Sequence, residues 1–335
     1  MRLPRFECLY PCSVDEATSF LSAHKGEARI IAGGTDILIA MKQRRSTPKY
    51  LVNLKSISDL GYIAYDEQDG LLKIGALTTL DVMADSPQIK ELAPMLAQAA
   101  GRVASPHLRN SGTIGGNICL DSRCWYYNQS QFWRSVRDKC FKTGGDRCYV
   151  VKGGKQCYSL VSSDTAPALI ALGAEVELVS ATGKRVIPLE SFYTGVGQTV
   201  NVMEEGEVLT EVRVPRQGTN GGGVYLKHAY RESIDFPLVG VGVALSLDGG
   251  DLIKDLRICV GAASPAPVRP LRAESLLKGN KVSEEILKEV GASASKEVSP
   301  IVNLFAPVPY KRHIVGVLVQ RAIKLAFEAA KSGSR

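Results

Sequence analysis

The sequence predicts an α+β chain in two parts, on three observations. Short apolar strand candidates alternate with capped helical stretches up to about residue 218. A glycine-rich segment over 216–223 then has the composition of a boundary. Beyond it, strand-like runs precede three helical patterns, the signature of an antiparallel sheet covered by helices. The expected parts are 1–218 and 223–331, with a cysteine-rich stretch over 121–162 interrupting the first. A length of 335 residues suits two domains.

In the first part, Ser13-x-x-Glu16 is a capping box, so a helix is expected over about 14–24 and ends at Gly26. Residues 29–32 form a short β-branched strand. Gly33-Gly34-Thr35-Asp36 follows, then a helix over 37–43. Strand, glycine-rich turn and helix offer backbone N–H groups to an anion, typically a phosphate. A plain tight turn would use the same two glycines, and the spacing is not GxGxxG. Strands are expected over 50–54 and 71–74, with 76–84 leading into helix and one helix over 88–104. Leu108 to Ile118 then reads LRNSGTIGGNI, with Gly112, Gly115 and Gly116 within five residues. Such density suggests backbone held close to something. A long cofactor with two phosphates, reached from two sides, would explain both loops.

After the cysteine stretch, Asp164 opens a short helix, where a plain cap would account for it. Strands follow over 174–179, 184–188 and 207–215. In the second part, strands are expected over 239–247 and 255–262, and helices over 271–278, 283–296 and 310–331.

The stretch from Cys124 to Cys157 holds four of the eight cysteines, Cys124, Cys140, Cys148 and Cys157, and both tryptophans. Zinc sites usually use paired C-x₂₋₄-C knuckles, and none exists here. Four well-spaced single thiols suit a cubane cluster better, since each approaches a different iron. An iron–sulfur cluster, zinc and no metal all remain open on spacing alone. Cys119 is a fifth candidate, but beside the Gly-Gly-Asn loop a small buried residue suffices; Cys259 lies in an apolar strand. Residues 121–160 carry eight Lys/Arg against three Asp, a local net of +5 within a chain of +7. A solvated loop, compensation of an anionic cluster and docking of an acidic protein would each use that charge.

Composition is that of a soluble globular protein, with 45% apolar and 22% charged residues. No apolar run approaches the roughly 18 residues of a membrane span. The N-terminus has no apolar core of signal-peptide type, so a cytoplasmic protein with reduced thiols is expected. Aromatic and basic residues mix only within the cysteine stretch, which argues against nucleic-acid binding. His24, His107, His228 and His313 show no ligand spacing, and no Ser–His–Asp or paired-carboxylate set can be assembled. No catalytic residue is assigned; the chain reads as a carrier of redox cofactors, with substrate chemistry elsewhere.

Three ordered motifs carry a resemblance over essentially the whole chain: Ile30-Ile-Ala-Gly-Gly-Thr-Asp-Ile37, Arg109-Asn-Ser-Gly-Thr-Ile-Gly-Gly-Asn117 and Asp164-Thr-Ala-Pro-Ala-Leu169. Together they resemble the FAD-binding medium subunits of the molybdenum hydroxylases, which include xanthine dehydrogenase and carbon monoxide dehydrogenase flavoproteins. Glu207 to Pro215, Lys227 and Tyr310-Lys-Arg also agree. The resemblance implies a two-subdomain FAD-binding domain of the PCMH-like type, followed by a smaller α+β domain. Most members pass from the Gly-Gly-Asn loop to the aspartate segment in a few residues. Here about 40 more intervene, and this insertion is similar to that of the β subunits of 4-hydroxybenzoyl-CoA reductases, which holds an additional [4Fe–4S] cluster.

The resemblance implies site residues. Ile30, Ile31, Ala32, Gly33, Gly34, Thr35, Asp36 and Ile37 would line the FAD pyrophosphate through backbone N–H groups. Thr113, Ile114, Gly115, Gly116 and Asn117 would be the second clamp. Val103 would lie near the adenine, Asp164 would bond the ribityl chain, and Leu209 and Lys227 would lie near the flavin ring. Cys124, Cys140, Cys148 and Cys157 would hold the cluster, with Cys119 excluded. The implied assembly is a heterotrimer, itself dimerised, with a large molybdopterin subunit and a small subunit carrying [2Fe–2S] clusters. Electrons from a ferredoxin would enter at the loop cluster and pass by FAD to molybdenum, for removal of the phenolic hydroxyl of 4-hydroxybenzoyl-CoA. The alternatives are a medium subunit serving another substrate, such as a purine or other aromatic, and, of a different class, a zinc-binding scaffold.

Overall fold

The computed structural model describes residues 2–218, 220–304 and 306–333. The first part opens with β1 (Glu7–Leu9), α1 (Val14–Ala23), β2 (Ala28–Ile31), α2 (Ile37–Lys42) and β3 (Tyr50–Asn53). Ser13 caps α1, its side chain accepting from Glu16 N at 3.1 Å. The three strands form a parallel sheet in the order β1-β3-β2, so the Gly33-Gly34 turn lies beyond the C-terminal end of β2. That is where βαβ units leave backbone donors open.

The chain continues through β4 (Ile63–Asp66), β5 (Leu71–Gly75), α3 (Leu80–Asp85), α4 (Pro87–Leu92), α5 (Pro94–Gly101), α6 (Pro106–Arg109), α7 (Ile114–Ile118), α8 (Gln131–Ser135) and α9 (Thr165–Ala171). Then come β6 (Glu175–Ser180), β7 (Gly183–Pro188) and β8 (Val208–Pro215). A five-stranded sheet, β4-β5-β8-β6-β7, is antiparallel throughout. The apolar residues of α3–α5, α7 and α9 bury against it in one core that includes Met83, Met95, Leu96, Leu169, Val176 and Val212. The single helix expected over 88–104 is two helices. Pro94 supplies no N–H and drives Ala93 out of the helical region, to φ −148° and ψ 60°. Strands β1 and β4, three and four residues long, were not anticipated.

The second part comprises β9 (Gly221–His228), β10 (Val239–Leu247), β11 (Ile253–Gly261), α10 (Leu271–Leu277), α11 (Glu284–Glu297) and α12 (Val308–Gly333). Its sheet, β11-β10-β9, is antiparallel, and α10–α12 cover it over a second core of Val241, Val243, Ile258, Val290, Val319 and Ile323. The glycine-rich segment read as a boundary is in part strand. A Cβ on Gly222 would meet Ala326 O at 2.0 Å, so glycine there lets α12 lie directly on β9. Thr219 of that segment lies outside the described residues. No described helix is long and apolar enough to cross a membrane.

Candidate flavin cleft and cysteine loop

The two glycine-rich loops meet. A Cβ on Gly33 would stand 2.0 Å from Ser111 O, which no side chain tolerates. Gly34 takes a positive φ of 73°, and Gly115 lies so close to Ala76 that a Cβ would approach that residue's Cβ at 2.9 Å. Thr113 caps α7, accepting from Gly116 N at 3.2 Å. Asn117 Oδ1 accepts from Ser163 Oγ and Thr165 Oγ1, both at 2.7 Å, tying the second loop to the start of α9.

Between the loops runs an open cleft of about 530 Å³. Of the residues assigned to the cofactor, Ile30, Ala32, Gly33, Gly34, Thr35, Asp36, Ile37, Val103, Thr113, Gly115, Gly116, Asn117 and Leu209 line it. Ile31, Ile114, Asp164 and Lys227 do not. Ile31 precedes the turn on a strand whose successive side chains face opposite ways. Ile114 is fully buried in the core of the five-stranded sheet.

Asp164 and Lys227 face each other across the two parts of the chain. Lys227 Nζ stands 3.1 Å from Asp164 Oδ2, with side chains 2% and 3% exposed. Tyr225 OH donates to Asp164 Oδ1 at 2.7 Å, and Lys227 also reaches Arg102 O and Asp235 O. Burial pushes the Asp164 carboxyl up to about 6, against the opposing pull of Lys227 and Tyr225. The plain cap that would have accounted for Asp164 is absent: it occupies the N-cap position of α9 without a side-chain capping bond. Both its oxygens are engaged by the other part of the chain instead.

Several cleft residues carried no recognisable signal in the sequence. Arg123 and Tyr127 come from the insertion and Phe236 from the β9–β10 loop. Arg123 Nη2 donates to Asp36 Oδ1 at 2.9 Å, and its guanidinium lies 3.9 Å from the centre of the Phe236 ring. Burial holds this guanidinium's pKa below its usual value. His24, stacked on Tyr50 at 3.9 Å, lines the far side.

The insertion leaves and rejoins the domain at one point. Arg123 and Leu160 form an antiparallel bridge, with N–O distances of 2.7 and 2.8 Å, and Ser122 Oγ lies 2.6 Å from Ser159 Oγ. Lys142 reaches back to this junction, donating to Asp121 Oδ1, Ser122 Oγ and Gly197 O. Arg134 straps the loop to the end of α2 through Gln43 O and Arg44 O.

Cys124, Cys140, Cys148 and Cys157 line one small cavity of about 20 Å³, together with Lys142 and Arg147. The donor set fits a thiolate-held anionic cluster: four sulfurs, no histidine and two cations. The spacing does not yet fit, since among the described residues no group of three or more His, Cys, Asp and Glu is placed to hold a metal ion. The cavity must widen to admit a cluster. Burial raises the Cys124 thiol pKa, so a metal would have to displace that proton. Cys119 sits apart in the cleft wall, 3.6 Å from Met203 Sδ, and burial pushes its thiol up to about 12.

Comparison with known proteins agrees with this geometry. The family described as the FAD binding domain in molybdopterin dehydrogenase matches residues 4–217, and the CO dehydrogenase flavoprotein C-terminal domain matches 224–326. The carbon monoxide dehydrogenase medium chain of Hydrogenophaga pseudoflava is 29% identical over 97% of this chain and 98% of its own length. A putative xanthine dehydrogenase FAD-binding subunit of Escherichia coli is 26% identical over 92% of each. The solved carbon monoxide dehydrogenase from Hydrogenophaga pseudoflava superposes with a TM-score of 0.82 at 27% identity, covering 98% of this chain and 99% of that one.

Proposed function

The chain belongs to the family of FAD-binding subunits of the molybdopterin dehydrogenases, and on that premise we propose that it is the FAD- and [4Fe–4S]-carrying electron-transfer subunit of a 4-hydroxybenzoyl-CoA reductase. The observation that carries the finer part is the four insertion cysteines lining one cavity, in a loop whose first residues also wall the flavin cleft. In this reading the partners are a large molybdopterin subunit and a small [2Fe–2S] subunit, and a ferredoxin is the donor. FAD, when bound, supplies exchange between one-electron and two-electron traffic.

The chain's own residues then have defined tasks. Gly33 and Gly34 let backbone N–H groups come close to a pyrophosphate, and the Thr113–Asn117 loop closes on it from the other side. Arg123 and Phe236 cover the cleft between the insertion and the second part. Asp164, Lys227 and Tyr225 brace the two parts just outside the cleft rather than touching it, which supports a positioning role toward the flavin. Lys142 and Arg147 line the cysteine cavity while paired with Asp121 and with Asp138 and Asp146, and so hold its wall in place.

A second reading has support from the relatives. They are named for carbon monoxide, xanthine and nicotinate, so a medium subunit serving another substrate remains the alternative. Anaerobic purification of the complete complex, with FAD, iron, acid-labile sulfide and molybdenum quantified, tests the cofactors. About four irons beyond those of the small subunit are expected. Absence of flavin would sink the reading, and zinc in place of iron would move the loop to a scaffold role. Turnover of 4-hydroxybenzoyl-CoA against xanthine decides the substrate.

A further inference from the structure

The insertion holds a second cavity, of about 400 Å³, beside the cysteine cavity, with which it shares Tyr126, Tyr127, Cys140 and Tyr149. This is within the range of small-molecule sites, roughly 300–1,000 Å³. Both of the chain's tryptophans, Trp125 and Trp133, line it, with Tyr126, Tyr127 and Tyr149. The tryptophans remain 48% and 61% exposed, an apolar surface left open by the described residues.

The cations of this wall differ in kind. Arg134 is committed to backbone carbonyls of Gln43 and Arg44 and holds the wall in place. Arg137 is not so committed. Its guanidinium lies 4.8 Å from the centre of the Tyr126 ring and 5.9 Å from that of Tyr149, two rings that are themselves 5.3 Å apart. No carboxylate or carbonyl pairs with it among the described residues. The one acid of the wall, Asp138, is bonded by Arg147 at 3.1 Å. The two rings hold the exposed guanidinium at the rim while none of its N–H groups is committed within the described residues, which leaves it able to take a carboxylate.

We propose that this cavity is a second binding site, taking a planar aromatic anion whose rings lie among Trp125, Trp133 and the tyrosines and whose carboxylate meets Arg137. A flat ring system suits walls made of flat rings, and the unpaired cation selects against a neutral or cationic ligand. The site is separate from the flavin cleft, with which it shares only Tyr127.

The test is isothermal titration calorimetry of the complete, FAD-loaded complex with 2-naphthoate, 2-naphthalenemethanol and cyclohexanecarboxylate. Saturable binding of one 2-naphthoate per chain is expected, with the other two at least tenfold weaker. Arg137→Gln should weaken 2-naphthoate at least tenfold and leave 2-naphthalenemethanol unchanged. Trp133→Leu should weaken both aromatic probes. Arg137→Lys, which keeps the charge without the fork, should fall between, and it serves if the glutamine variant does not fold. The proposal is overturned by no saturable heat, by equal affinity in Arg137→Gln, or by displacement of FAD. Binding to the isolated chain but not to the complex also overturns it, because a partner subunit then covers this wall.

Discussion

Gly33 and Ser111 are in backbone contact, so close that a single methyl group on Gly33 would stand 2.0 Å from the Ser111 carbonyl oxygen. The two glycine-rich loops, almost eighty positions apart in the chain, are therefore joined at this contact and wall one cleft together. The glycines serve loop against loop first, and any cofactor second.

Replacing Gly33 by alanine should push the loops apart. We predict FAD content falling below about a tenth of wild type, with a destabilisation on the order of 2–4 kcal/mol. Gly61→Ala is the control, since its Cβ would meet only Ser58 O at 3.7 Å. Flavin absorbance per chain and urea midpoints decide it; full FAD content in Gly33→Ala would remove the clamp argument.

Cys140→Ser should abolish loop-bound iron while FAD is retained, because the flavin clamps lie outside the insertion. Iron and flavin analysis of the same preparation checks this. Loss of both would mean that the loop also supports the cleft, with Arg123 and Tyr127 the residues to suspect.

Asp164 gives a pH signature. Its carboxyl titrates near 6 in the fold against 3.8 for the free group, so the folded chain binds more protons between those values. Stability should fall as pH rises from about 4 to about 6, by on the order of 3 kcal/mol, and be level above. Asp164→Asn should flatten that slope in urea titrations. Asp164→Ala should cost about 3–5 kcal/mol at pH 7, as it strands Lys227.

Lys311 is buried, and its Nζ has no hydrogen-bond partner among the described residues. Burial lowers its pKa from 10.5 to about 8. The unfolded chain binds the extra proton between those values, so stability should rise as pH rises from about 8 to 10.5. Lys311→Met should stabilise the chain at pH 7 by about 1–3 kcal/mol and lose most of that advantage near pH 10.5. Thermal unfolding at the two pH values measures it.

The basic loop divides into inward and outward charges. Arg123, Arg134 and Lys142 hold the insertion in place, whereas Lys139, Lys152 and Lys155 are exposed. Changing those three lysines to glutamine should slow reduction by an acidic ferredoxin several-fold at low salt, and little at high salt, with the flavin spectrum unaltered. Stopped-flow reduction rates across ionic strength test the idea, and equal rates at low salt reject it.

Features written in contiguous residues were legible beforehand. The cap at Ser13 and both glycine loops each depend on a few neighbouring positions, although Glu16 accepts from Cys12 N rather than completing the box at Ser13 N. The break at Pro94 was equally visible, but the apolar period of 88–104 suggested continuity. What could not be read were meetings of distant residues. Lys227 with Asp164 and Phe236 with Arg123 depend on how the two parts dock, and Gly222 with Ala326 on how α12 lies on β9; no local pattern encodes either. The same limit explains Asp164, where a helix start would suit a cap and two residues more than sixty positions away, Tyr225 and Lys227, engage its two oxygens instead.

The junction at Arg123 and Leu160 has a practical meaning for how this chain is built. Because the loop departs and returns across a single pair of backbone bonds, it behaves as a cassette whose two ends are already joined. Replacing 124–159 by a two-residue turn should leave the sheets, both cores and the glycine clamp in register. Moving the same residues into another medium subunit becomes a direct way to ask whether the loop by itself binds iron.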